Sequence, residues 1–186
     1  MILGMVSDRI GARVTIEDVA KTVARQPARY LGVAGIDPTR DDLPERIEQA
    51  REAGMVGVTV SPAAQGFHPA HSNAMRLYER CVELNWPLIV QPLASIAPQA
   101  VMEFAAPQLI DEVARTFPQL KIVIAQMGEP HPHQALAMIA KHRNVFAGIG
   151  GIVGNPWALY DVIVRAHHND LLDKLMFASG FPFCTP

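Results

Sequence analysis

Phe117-Pro118-Gln119-Leu120-Lys121-Ile122-Val123-Ile124-Ala125-Gln126-Met127-Gly128 carries the architecture in miniature. Proline stops the helical stretch before it, a run dominated by Leu, Ile and Val follows, and glycine closes that run. Apolar residues at successive rather than alternate positions read as a strand buried on both faces, the condition of a parallel sheet. Stretches of helical period lie on either side, predicted over 101–116 and 133–141. The same unit recurs outward in both directions. Strands are predicted at 2–6, 30–36, 56–60, 88–91, 121–127, 145–149 and 175–179, and further helices at 16–24, 43–53, 73–84 and 158–168. Thr15 and Asp42 stand at N-cap positions, while Pro27, Pro87 and Gly54 punctuate the boundaries. Strand and helix in alternation make either an open doubly wound sheet or a (β/α) barrel.

The chain has 186 residues, 49% of them hydrophobic and 18% charged, which is one domain, residues 1–186, with a sizeable core. Sixteen Lys and Arg against eighteen Asp and Glu leave a formal charge of −2. That balance supplies no cationic field for a phosphate backbone, so no nucleic-acid partner is expected. No apolar run reaches the roughly 18–20 residues that cross a bilayer, and Asp8 and Arg9 follow Met1 too closely for a signal peptide. The reading is a soluble, cytoplasmic protein without a membrane partner. Cys81 and Cys184 are too few for a disulfide framework or a cysteine zinc site and are read as reduced thiols.

Four segments, in order, resemble the amidohydrolase-related family of metal-dependent hydrolases and decarboxylases, which includes the aminocarboxymuconate-semialdehyde decarboxylases. They are Gly54 to Pro62 with Gln65-Gly66-Phe67, Leu88-Ile89-Val90-Gln91, Phe117 to Gly128, and Leu175-Met176-Phe177-Ala178-Ser179-Gly180-Phe181-Pro182. The resemblance covers about five-sixths of the chain. It implies a TIM-type α/β barrel with its active site at the carboxyl ends of the strands. A complete barrel takes about 250 residues, so the expectation is an incomplete one, its first strand and last helix not evident, or a piece of a longer chain.

The resemblance also implies a divalent metal held by a His-x-His pair on the first strand, a His after each of two later strands and an Asp after the last. Here the pair has no counterpart, the two His positions hold Gln91 and Gln126, and the Asp position holds Gly180. An amide oxygen is a weak neutral ligand beside imidazole, and glycine offers none. No metal cofactor, zinc or manganese, is therefore predicted. Gln91 and Gln126 are read as hydrogen-bonding groups on the pocket floor, with Thr59, Ser61 and Ser179 as pocket-lining hydroxyls.

Other residues bear chemistry by type. Glu129, His131 and His133 share the loop after the Lys121–Met127 strand, on what would be the active-site face, and are the acid-base candidates if catalysis is retained. A surface loop opening the next helix is the favoured reading of the histidines, since loops commonly carry exposed His. His68 and His71 flank Pro69 and read as solvated loop residues, and Gly148 to Asn155 as a strand-to-helix turn rather than a phosphate loop. Asp37 reads as capping the loop after its strand. The functional expectation is a family member inactive in the metal-dependent reaction, serving ligand binding or assembly, with a small-molecule ligand and a homo-oligomeric state. The alternatives are a metal-independent lactone or ester hydrolase using the same pocket, since the pyrone-dicarboxylate lactonases of the wider superfamily work without metal, and a fragment of a metal-dependent enzyme.

Overall fold

The computed structural model describes residues 1–179. In chain order its elements begin with strands β1 (Ile2–Leu3), β2 (Met5–Ser7) and β3 (Ala12–Val14), helix α1 (Ile16–Ala24), β4 (Gly32–Gly35), α2 (Leu43–Glu52) and β5 (Val58–Val60). The one-turn α3 (Pro62–Gln65), then α4 (Ser72–Glu83), β6 (Leu88–Val90), α5 (Asp111–Thr116) and β7 (Ile122–Ile124) follow. The described chain ends through α6 (Pro132–Lys141), β8 (Val145–Gly148), α7 (Pro156–His168) and β9 (Leu175–Met176). No described helix is long and apolar enough to cross a membrane.

Seven strands pair in the order β1-β4-β5-β6-β7-β8-β9, every neighbour parallel. This is the strand order of a TIM-type (β/α) barrel, with seven of its eight strands among the described residues. Strand parity divides the layers. Val58 and Val60, Leu88 and Val90, Ile122 and Ile124, and Val145 and Ala147 join one buried cluster with Ile47, Leu77, Tyr78, Val113, Ile139 and Val162 from the helices. Thr59, Ile89 and Val123, one position out of step, therefore face the barrel interior. Helix α4 shows how the outer layer is written: Ala74, Leu77, Tyr78 and Cys81, three and four apart, are its buried residues. Burial pushes the Cys81 thiol up to about 12, so it stays protonated in the core.

Two predicted elements and one predicted cap change on folding. The predicted strand 2–6 divides: β1 joins the parallel sheet, while β2 turns out of it to pair antiparallel with β3, a hairpin that the sequence reading did not foresee. The predicted helix 101–116 is two short 3-10 turns, Met102–Ala105 and Pro107–Ile110, before α5. Pro107, which has no N–H to donate, accounts for the break. Thr15 caps α1 in a reciprocal capping box with Asp18, as expected. Asp42 makes no capping hydrogen bond; its carboxylate is held by Arg46 and Arg40 at 2.8 and 3.2 Å.

Side chains complete the backbone hydrogen bonding at both ends of the sheet. At the amino ends, Asn144 Nδ2 donates to the carbonyls of Ala114, Phe117 and Leu120, and Lys174 Nζ donates to those of His142, Arg143 and Val145. At the carboxyl ends, buried Gln65 stands in for the next rung between β4 and β5. Its Oε1 accepts from Ser61 N–H at 2.8 Å, and its Nε2 donates to the carbonyls of Ile36 at 3.0 Å and Val6 at 2.8 Å. Ser7 adds a bond from Oγ to the Ala64 carbonyl at 2.7 Å, which anchors the hairpin to α3. A Gln65→Leu substitution keeps the volume but leaves buried backbone groups without these partners. We expect it to cost about 2–4 kcal/mol in urea unfolding, and a loss near zero would show that the bridge does not stabilise the sheet.

Candidate functional site

The connections leaving the carboxyl ends of β6, β7 and β8 enclose a cavity of about 290 Å³. Residues 92–96 form one wall, Gln126 and Glu129 a second, and Gly151, Ile152 and Asn155 a third. Local backbone geometry aims these groups. Leu93 adopts φ 40°, and Gln126 and Met127 both adopt φ 51°, left-handed conformations that cost a residue with a side chain about 1–3 kcal/mol each. Gly128 continues the left-handed run at φ 64°, where an added Cβ would lie 2.4 Å from Pro107 Cγ. Three of the five non-glycine residues with positive φ in the described chain thus sit at this cavity or directly beside it.

Two of the polar side chains here lack internal partners. Gln126 is half-buried and makes no side-chain hydrogen bond among the described residues, and the Glu129 carboxylate likewise has none. Asn155 caps α7 by accepting the Ala158 N–H on Oδ1 at 3.2 Å. That bond fixes the amide's orientation, since only oxygen can accept, and leaves Nδ2 as a donor.

The structure distributes the other predicted site residues more widely. Gln91 lies one connection away in a narrow cleft beside Phe104, Pro107 and Ile110, with its Nε2 donating to Thr59 Oγ1 at 3.1 Å. Ser61 is fully buried and serves as the N-cap of α3, its Oγ accepting from Ala64 N–H. Ser179 is half-buried just past β9. Of the Glu129, His131 and His133 trio, Glu129 alone lines the cavity. His131 begins α6 without a side-chain capping bond, and His133 Nε2 contacts Asp161 Oδ2 at 2.7 Å on the outer helix layer. The His133 and Arg165 contacts hold the Asp161 carboxyl below the usual carboxylate range. His68 and His71 are exposed, and each accepts a backbone N–H on Nδ1 at its own turn. Buried Asp37 caps its loop by accepting from the N–H and hydroxyl of Thr39. Gly180 and Cys184 lie outside the described residues.

Among the described residues, no three His, Cys, Asp or Glu side chains gather closely enough to hold a metal ion. Leu93 and Asn155 are among the cavity residues that the sequence reading did not assign to a site. Leu93 gives no sequence signal: its left-handed backbone accompanies burial of its side chain against Met5 and Ala64, residues distant in the chain. Asn155 was legible as an N-cap before Pro156, but its sharing a cavity with Gln126, and the approach of Gly151 to Gln126 on the same wall, were not.

Gly151 is required by that proximity: an added Cβ would lie 2.6 Å from Gln126 Cβ. A Gly151→Ala substitution should therefore displace Gln126 and cost about 1–3 kcal/mol, measured by thermal or urea unfolding. Unchanged stability, with an unshifted Gln126 side-chain amide signal in NMR, would refute the packing argument.

Comparison with known proteins accords with this geometry. No curated protein matches the sequence. Among solved structures, an uncharacterized TIM-barrel protein of Bordetella bronchiseptica superposes with a TM-score of 0.84 at 21% identity, over 98% of this chain and 64% of that one. An amidohydrolase of Burkholderia multivorans, with bound HEPES, gives 0.70 at 17% identity over 93% and 67%. The 5-carboxyvanillate decarboxylase of Novosphingobium aromaticivorans, complexed with manganese, gives 0.65 at 18% over 90% and 59%. The chain thus spans 64% of the length of the Bordetella protein, and these likenesses establish the barrel. The amidohydrolase family model matches residues 2–186, and the chain belongs to that family.

Proposed function

We propose that this chain is a small-molecule-binding member of the amidohydrolase family whose barrel mouth does not sustain the metal-dependent reaction. The observation that carries the reading is the convergence on one cavity of Gln126 and Glu129, whose side chains have no hydrogen-bond partner among the described residues, and of Asn155, whose Nδ2 is left as a donor once Oδ1 has capped α7. A concave site on which a few polar groups converge with hydrogen-bonding capacity to spare, beside apolar side chains, is the usual form of a ligand site. The donor set supports the second half. Gln91 and Gln126 stand where the family resemblance places imidazoles, and Gly180 where it places a carboxylate. The Gln91 amide is already engaged with Thr59, and neutral amide oxygens bind zinc or manganese weakly. Titration of zinc and manganese into chelator-treated protein should show no stoichiometric binding by calorimetry. One ion bound per chain with submicromolar affinity overturns the reading.

Glu129 favours a second reading, metal-independent hydrolysis of an activated ester or lactone. It is the titratable side chain lining the cavity, and it shares a connection with Gln126. The carboxylate would take a proton from water as that water attacks the carbonyl carbon, and the Gln126 amide would donate to the developing oxyanion. Turnover of a lactone and ester panel with chelator present should then fall by about 100-fold or more in Glu129→Gln and in Gln126→Ala. Turnover unchanged in both variants, or absent from the unmodified protein, leaves ligand binding as the function.

A further inference from the structure

We infer that the cavity takes a neutral or cationic planar molecule bearing an amide- or amidine-like group and discriminates against carboxylates. The inference rests on the ligand-binding reading and deepens it by naming the ligand's charge and hydrogen-bonding pattern.

Charge comes first. Among the described residues lining the cavity, Glu129 is the one charged side chain; no Lys, Arg or His joins it. The helices that begin near this rim do little to reverse its sign. Both α6 and α7 start with proline, Pro132 and Pro156, which has no N–H to offer. Within α7 the Ala158 N–H is already taken by Asn155, and the His131 N–H donates to the Gly128 carbonyl. An anionic ligand would meet a carboxylate with no cation to offset it, in a partly enclosed space where repulsion is screened less than in open water.

Hydrogen bonding and shape agree. Glu129 accepts, Asn155 Nδ2 donates, and the Gln126 amide can do both. An N–H donor on the ligand suits Glu129 and the Gln126 Oε1; the carbonyl of an amide accepts from Asn155 Nδ2, whereas an amidinium, all donor, relies on the Glu129 carboxylate and Gln126. Leu93, Ile96 and Ile152 supply apolar surface for a ring, and about 290 Å³ accommodates a single-ring molecule.

The test uses three isosteric probes that differ in charge, benzamidine, benzamide and benzoate, titrated into isotope-labelled protein and followed by NMR. Benzamidine and benzamide should shift the side-chain amides of Gln126 and Asn155, with benzoate at least tenfold weaker than benzamide. Glu129→Gln, checked for a native-like spectrum, should abolish the preference for benzamidine over benzamide. Benzoate binding as tightly as benzamide, or an unchanged order in Glu129→Gln, overturns the inference while leaving a ligand site in place. Failure of all three to shift either amide at about 20 mM, where even millimolar affinities register, removes the ligand-binding reading and this inference with it. The order of the probes on the unmodified protein decides the charge claim even if the variant does not fold.

Discussion

A parallel strand buried on both faces must find partners for the backbone groups at its ends, where the ladder stops and water is excluded. This demand organises the molecule. Gln65 continues the rung between β4 and β5 with a side-chain amide, and the same amide reaches the carbonyl of Val6, tying the β2–β3 hairpin to the sheet. At the opposite ends Asn144 and Lys174 each gather three carbonyls. A polar residue with several buried partners is costly to remove, because each partner is left unsatisfied.

The candidate site is where that satisfaction stops. Around β4 and β5 the polar side chains at the carboxyl ends are engaged: Ser61 caps α3, Ser7 holds Ala64 and Asp37 holds Thr39. After β7 the Gln126 and Glu129 side chains are not, after β8 Asn155 is engaged through Oδ1 alone, and the backbone at Gln126 and Met127 is held in left-handed conformations that packing elsewhere must support. One half of the barrel mouth is closed by its own hydrogen bonds, and the other presents an amide, a carboxylate and a second amide to a cavity. Both halves stand on the same scaffold, so what separates them is the side chains at the ends of the strands rather than the fold.

Much of this was legible in the residues. Short runs of Val, Ile and Leu between breakers located all seven parallel strands, because a strand covered on both faces has no polar positions to blur it. Helix α1 was predicted with its observed bounds, since Thr15 and Asp18 write its start locally. The errors fell where local pattern and packing diverge. Gly4, between β1 and β2, allows the chain to pass close to Gly35, where an added Cβ would lie 2.5 Å from the Gly35 nitrogen. That contact splits a continuous apolar run into two strands of different sheets. Pro107 broke a helical period that read as unbroken.

The sequence by itself determined the parallel barrel and the family, since each of these is a matter of residue type and order. Tertiary structure alone decided that the two glutamines part company, one bonded to Thr59 and the other open to a cavity, and that Glu129 stays with Gln126 while His133 turns to Asp161. Side-chain direction at the end of a strand depends on the dihedral angles of the turn that follows. Those angles are set by contacts such as Gly151 against Gln126 and Gly128 against Pro107, made between residues far apart in the chain.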